Sequence, residues 1–139
     1  MTVKPFLDTN VVVYATLEDS NPNAAVHAER ALSMLVQGGV VSVQVAQELV
    51  DVARRKFKRS WPEISEILSL VEELCGPALP MTAELQRRAV ALAAQYNFRI
   101  YDAAIIASAL EAGCSVLYTE DLQHGQNIEG LRIENPFLG

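Results

Sequence analysis

The segment that decides the fold is residues 3–10, VKPFLDTN, near the amino terminus. Its apolar residues Val3, Phe6 and Leu7 are bounded by polar ones and predict a short buried strand. The run stops at Asp8, and a second apolar run begins three residues later. In a strand-then-helix unit, the residue after the strand faces the crevice where open α/β sheets bind ligands. Asp8 is therefore either a helix cap, the commoner role of this residue type at such a position, or the first carboxylate of a site.

Length and composition bound the remaining possibilities. The 139 residues predict a single domain over residues 1–139, and no apolar run approaches the ~18 residues that a membrane span needs. The start also lacks the pattern of a signal peptide. Cys75 and Cys114 are far apart in apolar segments, so we expect buried free thiols and a cytoplasmic protein.

Charge is unevenly distributed along the chain. A net charge of −6 argues against nonspecific binding of polyanions by the whole surface. Five of the eleven basic residues nevertheless form one cluster, which we call the basic cluster: Arg54, Arg55, Lys56, Lys58 and Arg59. It is either the solvated carboxyl end of a helix or a phosphate-facing patch.

Beyond the first strand, short apolar runs alternate with longer stretches of helical periodicity. Helix starts are indicated at Asn21 before Pro22, at Ser42, at Ser60 with Glu63, and at Thr82. A further helix over residues 103–112 is apolar nearly all round and is predicted to be buried. Short strands are predicted at residues 40–41, 78–79, 116–118 and 131–133. In the helix after Asn21, the residues predicted to face the core are Ala25, Val26, Leu32, Leu35 and Val36. The alternation predicts a parallel sheet with helices on both faces.

Four carboxylates fall at strand ends or near helix starts in this scheme. Asp8 and Asp121 follow strands, Asp102 lies at the start of the most buried helix, and Glu48 lies at the edge of an apolar stripe. Singly, they read as two N-caps, a turn residue and a surface glutamate. Together they would converge on one sheet edge, where they would repel one another without a proton or a cation. Hard oxygen ligands of this kind suit Mg²⁺ or Mn²⁺.

Zinc and several other kinds of site are disfavoured. Neither His27 nor His124 has a metal-ligand partner at useful spacing. The chain also has no glycine-rich phosphate loop, no Ser-His-Asp order and no CxxC motif.

An ordered set of motifs resembles the PIN-domain family, and within it the toxin ribonucleases of the VapC type. The motifs are LDTN at 7–10, Ser42 to Glu48-Leu49, YDA at 101–103 opening an alanine-rich helix, LYTED at 117–121, LQHG at 122–125 and GLRI at 130–133. The resemblance covers essentially the whole chain. It implies a three-layer α/β/α sandwich with a short central parallel sheet, and an acidic Mg²⁺- or Mn²⁺-dependent site that hydrolyses RNA.

By matching position, the resemblance implies that Asp8, Glu48, Asp102 and Asp121 form an acidic quartet. It also implies that Asn10 and Thr119 support them. The family fills the position of Tyr101 variably. Glu120 is an alternative to its neighbour Asp121, and we favour Asp121. If the protein is a toxin, the resemblance further implies a cognate antitoxin and a homodimer.

The leading hypothesis is a metal-dependent endoribonuclease. Asp8 and Asp102 would hold the principal metal, with Glu48 and Asp121 binding a second one or aligning a water. The basic cluster would hold the RNA backbone, with further candidates at Arg87, Arg88 and Arg99.

Two other functions compete with it. A Mg²⁺-dependent phosphoryl hydrolase, such as a phosphatase with Asp8 as nucleophile, would want a second aspartate at position 10, where Asn10 stands. A non-catalytic or partner-regulated PIN-like RNA-binding domain is the other alternative, and retention of all four acids speaks against it.

Overall fold

The computed structural model describes residues 4–18 and 20–138, and Val3 of the predicted first strand lies outside them. The helices in this part of the chain are α1 (Thr9–Thr16), α2 (Pro22–Gln37), α3 (Val43–Arg55), α4 (Trp61–Cys75), α5 (Ala83–Tyr96) and α6 (Ile100–Glu111). The strands are β1 (Phe6–Leu7), β2 (Val116–Tyr118), β3 (Asn127–Ile128) and β4 (Leu131–Glu134).

The four strands form one sheet in the order β1-β2-β4-β3. β1 and β4 both pair with β2 in parallel, whereas β3 pairs with β4 in antiparallel. The predicted α/β fold, with helices around a short and mostly parallel sheet, is therefore confirmed. Phe6, Leu117 and Ile133 lie in register across the three parallel strands and are fully buried.

The two short strands predicted at residues 40–41 and 78–79 are only single parallel bridges, Phe6 with Val40 and Ser42 with Leu79. Val40 still pairs with the edge of β1, since its N–H donates to the carbonyl of Pro5 at 2.8 Å. The pairing ends there because Ser42 already caps α3. These bridges continue the parallel arrangement beyond β1.

Strand β3 has no counterpart in the sequence prediction. It turns into β4 through Glu129 and Gly130, whose φ angles of 52° and 93° are both positive. Two-residue hairpin turns of this hand favour Asn-Gly or Asp-Gly. Because Glu-Gly lacks that signal, the sequence pattern does not predict the hairpin.

The helix caps expected from the sequence are confirmed. Asn21, Ser42, Ser60 and Thr82 each accept a backbone N–H of the first turn, and Ser60 forms the full capping box with Glu63. The expected start of the buried helix is wrong. α6 begins at Ile100 with Arg99 as N-cap, so Asp102 is the third residue of the helix and not its cap.

The core is built from the strands, α6 and one face of each other helix. Residues 103–109 of α6 are all buried, as predicted. In α2 the predicted face is largely wrong, because Val26 and Val36 are 73% and 61% exposed and Leu32 is also exposed. The residues of α2 that are buried are Ala24, Ala31 and Leu35. The small alanines allow α2 to pack closely along α1, which leaves its larger valines outside.

Both cysteines are free, as predicted. Cys114 is buried and Cys75 is half-buried, and burial raises the pKa of both thiols. Among the helices described, none has both the length and the apolar character that crossing a membrane requires.

Candidate active site

Four elements bring the predicted carboxylates towards one another. Asp8 follows β1, Glu48 is on α3, Asp102 is in the first turn of α6, and Asp121 lies just beyond β2. The negative charges of Asp121 and Glu48 raise the pKa of both Asp8 and Asp102. Asp8 and Asp102 therefore each lie within electrostatic reach of Asp121 and Glu48, near the edge of the sheet where the parallel strands end.

Asp8 is the most deeply placed of the four, with only 6% of its surface exposed. Its Oδ1 accepts the N–H of Thr9 at 2.7 Å and its Oδ2 accepts the hydroxyl of Thr119 at 2.8 Å. Asp8 is thus the N-cap of α1, and its second carboxylate oxygen bonds the residue that follows β2. Burial raises its pKa to about 6, despite the lowering effect of these two hydrogen bonds.

Thr119 and Asn10 link the segments that follow β1 and β2. The fully buried hydroxyl of Thr119 accepts the N–H of Asp121 at 3.1 Å while it donates to Asp8. The amide of Asn10 donates to Asp121 Oδ2 at 3.1 Å and to the Thr119 hydroxyl at 3.3 Å. The two residues expected to support the quartet therefore contact two of its members directly.

Glu48 is held by two residues that sequence reasoning did not assign to the site. Its Oε2 accepts the hydroxyl of Thr9 at 2.5 Å, and its Oε1 accepts the side-chain amide of Gln44 at 3.0 Å. The same amide donates to the backbone carbonyl of Tyr101 at 3.1 Å. The sequence could have indicated Gln44 by its position four residues before Glu48, because residues four apart on a helix share one face.

Asp102 is only partly buried. Burial raises the pKa of its carboxyl, the neighbouring Arg99 lowers it, and Asp121 and Glu48 raise it again. Because α6 starts before it, Asp102 is not needed as a cap, and its carboxylate is available to the site.

Glu120 is held differently from Asp121. The hydroxyl of Tyr14 donates to both of its carboxylate oxygens, at 2.9 and 3.2 Å. The Tyr14 ring in turn packs edge-on against His27 and Phe137, so His27 belongs to an aromatic cluster. Of these two neighbours, Asp121 is the one whose charge raises the pKa of Asp8 and Asp102. The choice of Asp121 over Glu120 stays a prediction.

A pocket of about 300 Å³ opens beside these groups. Its polar lining is Thr9, Asn10, Tyr14, Glu48, Lys56, Glu120 and Asp121. Lys56 is the member of the basic cluster in this lining, and its Nζ lies 5.4 Å from the centre of the Phe57 ring.

Both the sequence and the fold resemble those of known proteins. A family model of the PIN domain matches residues 6–127. The chain belongs to the PIN domain family. Among solved structures, a toxin–antitoxin complex from Klebsiella pneumoniae is similar, with 20% identity and a TM-score of 0.67 over 95% of this chain and 97% of that one.

A second similar structure is Mycobacterium tuberculosis VapC20, described as a toxin that cleaves the sarcin-ricin loop. It shares 14% identity with a TM-score of 0.63, over 84% of this chain and 90% of that one. At these identities the two likenesses establish the PIN fold and nothing finer. The comparison with curated protein sequences finds no match.

The rest of the basic cluster of this PIN domain lies on the surface. The guanidinium of Arg54 stacks 4.8 Å from the centre of the Trp61 ring and donates to the carbonyl of Arg59 at 3.0 Å. Arg55 pairs with Asp51 at 3.3 Å, with both side chains exposed. Lys58 is exposed and Arg59 is half-buried.

The three further basic candidates are placed differently from one another. Arg99 lies beside Asp102, and Arg87 is exposed on α5. Arg88 pairs with Glu111 and Glu129 at 3.9 and 3.6 Å, at the carboxyl end of α6. Nine residues of helix, about 13 Å, separate that end from Asp102, so Arg88 is remote from the acidic side chains.

The chemistry of the acidic residues fits a hard divalent cation. All four predicted ligands are carboxylates, and Asp8 is buried with only neutral hydrogen-bond donors attached to it. Buried charges in proteins are normally paired or coordinate a metal. Within residues 4–18 and 20–138, however, no three His, Cys, Asp or Glu side chains already surround one point as ligands would. Carboxylate oxygens are the type of ligand that Mg²⁺ and Mn²⁺ prefer, so the chemistry of the donors fits such an ion.

Proposed function

We propose that this PIN domain is a divalent-metal-dependent endoribonuclease and the toxin of a type II toxin–antitoxin pair. The observation that carries the proposal is the hydrogen-bond network that links Asp8, Glu48 and Asp121 through Thr9, Thr119 and Asn10. Gln44 extends it from Glu48 to the residue before Asp102. Four repelling carboxylates oppose folding, so a site of this kind calls for a compensating ligand. The likeness to a toxin–antitoxin complex and to an RNA-cleaving toxin supports the choice of substrate and partner.

Asp8 and Asp102 would hold the principal Mg²⁺ or Mn²⁺, and Glu48 and Asp121 would bind a second ion or orient the attacking water. When bound, the metal would supply an acidified water and offset charge on the phosphoryl oxygens. Thr9 and Thr119 keep Glu48 and Asp8 in place through the hydrogen bonds described above.

Lys56 would bind an RNA phosphate in the pocket, opposite the carboxylates. Arg99, beside Asp102, would add a second positive charge near the reacting phosphate. A protein with a net charge of −6 can in this way act on a polyanion, because the cations that would bind the RNA phosphates lie next to the site.

An antitoxin partner and a homodimer are part of the proposal. The Klebsiella complex supports the antitoxin. We expect the purified protein to have the mass of a dimer in light scattering. Action on RNA, together with the two free cysteines, agrees with a cytoplasmic protein.

The sequence does not suit a phosphatase that uses Asp8 as nucleophile. Such an enzyme would want a second aspartate at position 10, where Asn10 stands and donates to Asp121 and Thr119. In a PIN domain that only binds RNA, neighbouring carboxylates would repel the RNA phosphates and would serve no purpose.

Incubating single-stranded RNA with the protein in Mn²⁺ or in EDTA tests the proposal. The ribonuclease cuts the RNA only with Mn²⁺, and the Asp102→Asn protein leaves it intact. An RNA-binding domain retains RNA without cutting it, and a phosphatase releases inorganic phosphate from a small phosphomonoester. Either of these results, with intact RNA in Mn²⁺, would overturn the proposal.

A further inference from the structure

Gln44 lies one helical turn before Glu48 on α3. Its amide nitrogen donates to Glu48 Oε1 at 3.0 Å and to the carbonyl oxygen of Tyr101 at 3.1 Å. A carboxylate and a backbone carbonyl can only accept hydrogen bonds. The NH₂ end of the amide, with its two hydrogens, is therefore the only end that can serve both partners.

We propose that Gln44 is a positioning residue of the active site, which holds Glu48 towards the metal and ties α3 to the first turn of α6. The inference rests on the proposed function, because it assigns Gln44 a role in the same metal-dependent site. Gln44 would touch neither the RNA nor the ion and would act through Glu48.

The first argument concerns the freedom of the Glu48 side chain. A glutamate loses considerable rotamer freedom when it is ordered, so a site that needs one conformer must restrain it. Each Glu48 oxygen has one donor, Thr9 on one side and Gln44 on the other. The pair of donors restrains both oxygens of the Glu48 carboxylate before any ion arrives.

The second argument concerns the two helices. α3 packs mainly against α1 and α4, whereas α6 packs against α5 and β2. The hydrogen bond from Gln44 to Tyr101 is a direct polar link between α3 and α6, and Tyr101 immediately precedes Asp102. The charges of Glu48 and Asp102 oppose one another, so this link acts against their separation.

The third argument concerns charge. A lysine or arginine at position 44 would pair with Glu48 and compete with a divalent cation for it. A neutral amide restrains the carboxylate and leaves its full negative charge for the ion. Outer hydrogen-bond partners of this kind typically change metal affinity or activity by about 10- to 100-fold when they are removed.

The test compares Gln44→Met, which has a similar shape and no donor, with Gln47→Met as the matched control. Gln47 is an exposed glutamine on the same helix. The first measurement is Mn²⁺ affinity by titration calorimetry without RNA, and the second is RNA cleavage as a function of Mn²⁺ concentration. The melting temperature in EDTA establishes that each variant is folded. If Gln44→Met does not fold, the shorter Gln44→Asn replaces it.

We expect Gln44→Met to weaken Mn²⁺ binding about 10- to 100-fold and to raise the Mn²⁺ concentration for half-maximal cleavage by a similar factor. Saturating Mn²⁺ should restore most of the cleavage rate, and Gln47→Met should behave as the wild type. In a Glu48→Gln background, Gln44→Met should weaken Mn²⁺ binding no further, because its effect passes through Glu48.

If the wild type binds Mn²⁺ and cuts RNA, three results would overturn this inference and leave the proposed function standing. They are unchanged Mn²⁺ affinity in a folded Gln44 variant, an equal loss in Gln47→Met, and a loss that persists in the Glu48→Gln background. A wild type that neither binds Mn²⁺ nor cuts RNA would instead overturn the proposed function, and this inference with it.

Discussion

The hydroxyl of Thr119 donates a 2.8 Å hydrogen bond to Oδ2 of Asp8 and thereby joins the ends of two neighbouring strands. The register of the sheet explains the contact. Leu7 on β1 lies opposite Tyr118 on β2, so the next residue on each strand falls side by side at the same edge. Parallel pairing thus turns two residues that are 111 positions apart into direct neighbours.

The Asp102→Asn protein should fold normally and lose RNA cleavage by on the order of 10²–10⁴-fold, the usual range for removing a group that takes part in the chemistry. The asparagine keeps the shape of the side chain and removes its negative charge. Cleavage rates on a labelled single-stranded RNA in Mn²⁺ provide the measurement. Glu111→Gln, at the other end of the same helix, is the matched control, and wild-type rates for Asp102→Asn would refute the assignment.

Asp8 should make the metal-free protein less stable as pH rises. Its pKa is about 6 in the folded state against an ordinary value of 3.8, so the folded state binds this proton more tightly. The contribution of this proton to the free energy of unfolding is fully present below about pH 4. It is lost as pH rises through about 6, a change of roughly 2–3 kcal/mol. Urea unfolding in EDTA at several pH values, compared between wild type and Asp8→Asn, measures it. Parallel pH profiles for the two proteins would contradict the prediction.

Mn²⁺ should raise the melting temperature of the wild type. Binding to the folded state alone adds about 2–3 kcal/mol at a hundredfold excess over the dissociation constant, or roughly 5–10 °C for a domain of this size. The increase should largely vanish in Asp8→Asn, whose metal-free form is expected to melt at or above the wild-type temperature, because one repelling charge is gone. A wild type that is insensitive to millimolar Mn²⁺ and Mg²⁺ would argue against a metal site.

Within the basic cluster, Lys56 should matter most for cleavage. It faces the acidic pocket, whereas Arg55 is paired with Asp51 on the surface. We expect Lys56→Gln to slow cleavage more than Arg55→Gln, and Arg88→Gln, remote from the site, to have no effect. Equal effects of all three would indicate a diffuse electrostatic contribution.

The cluster as a whole should govern the salt dependence of RNA binding. Replacing Arg54, Arg55 and Lys58 with glutamine should weaken binding and reduce the slope of log affinity against log salt by about 0.7 for each RNA phosphate that is no longer neutralised. Fluorescence anisotropy with a metal-free, labelled RNA at several salt concentrations provides the measurement. An unchanged slope would show that these residues are only the solvated end of α3.

The sequence by itself determined the features that depend on near neighbours along the chain. The caps at Ser42, Ser60 and Thr82, the buried α6 and the mostly parallel character of the sheet all follow from local patterns of polar and apolar residues. The same patterns placed four carboxylates near strand ends and helix starts. These positions could be predicted because the carboxyl ends of parallel strands lie at one edge of the sheet.

Only the tertiary structure decided which side chains meet. It turned the valines of α2 outwards, began α6 before Asp102, and placed Gln44 between Glu48 and Tyr101. It also placed Lys56 in the lining of the pocket beside Glu48 and Asp121. Helical periodicity gives a residue's angle around its own helix, but the neighbour at that angle depends on how distant segments pack. Contacts between residues far apart in the chain therefore have no local signal to predict them.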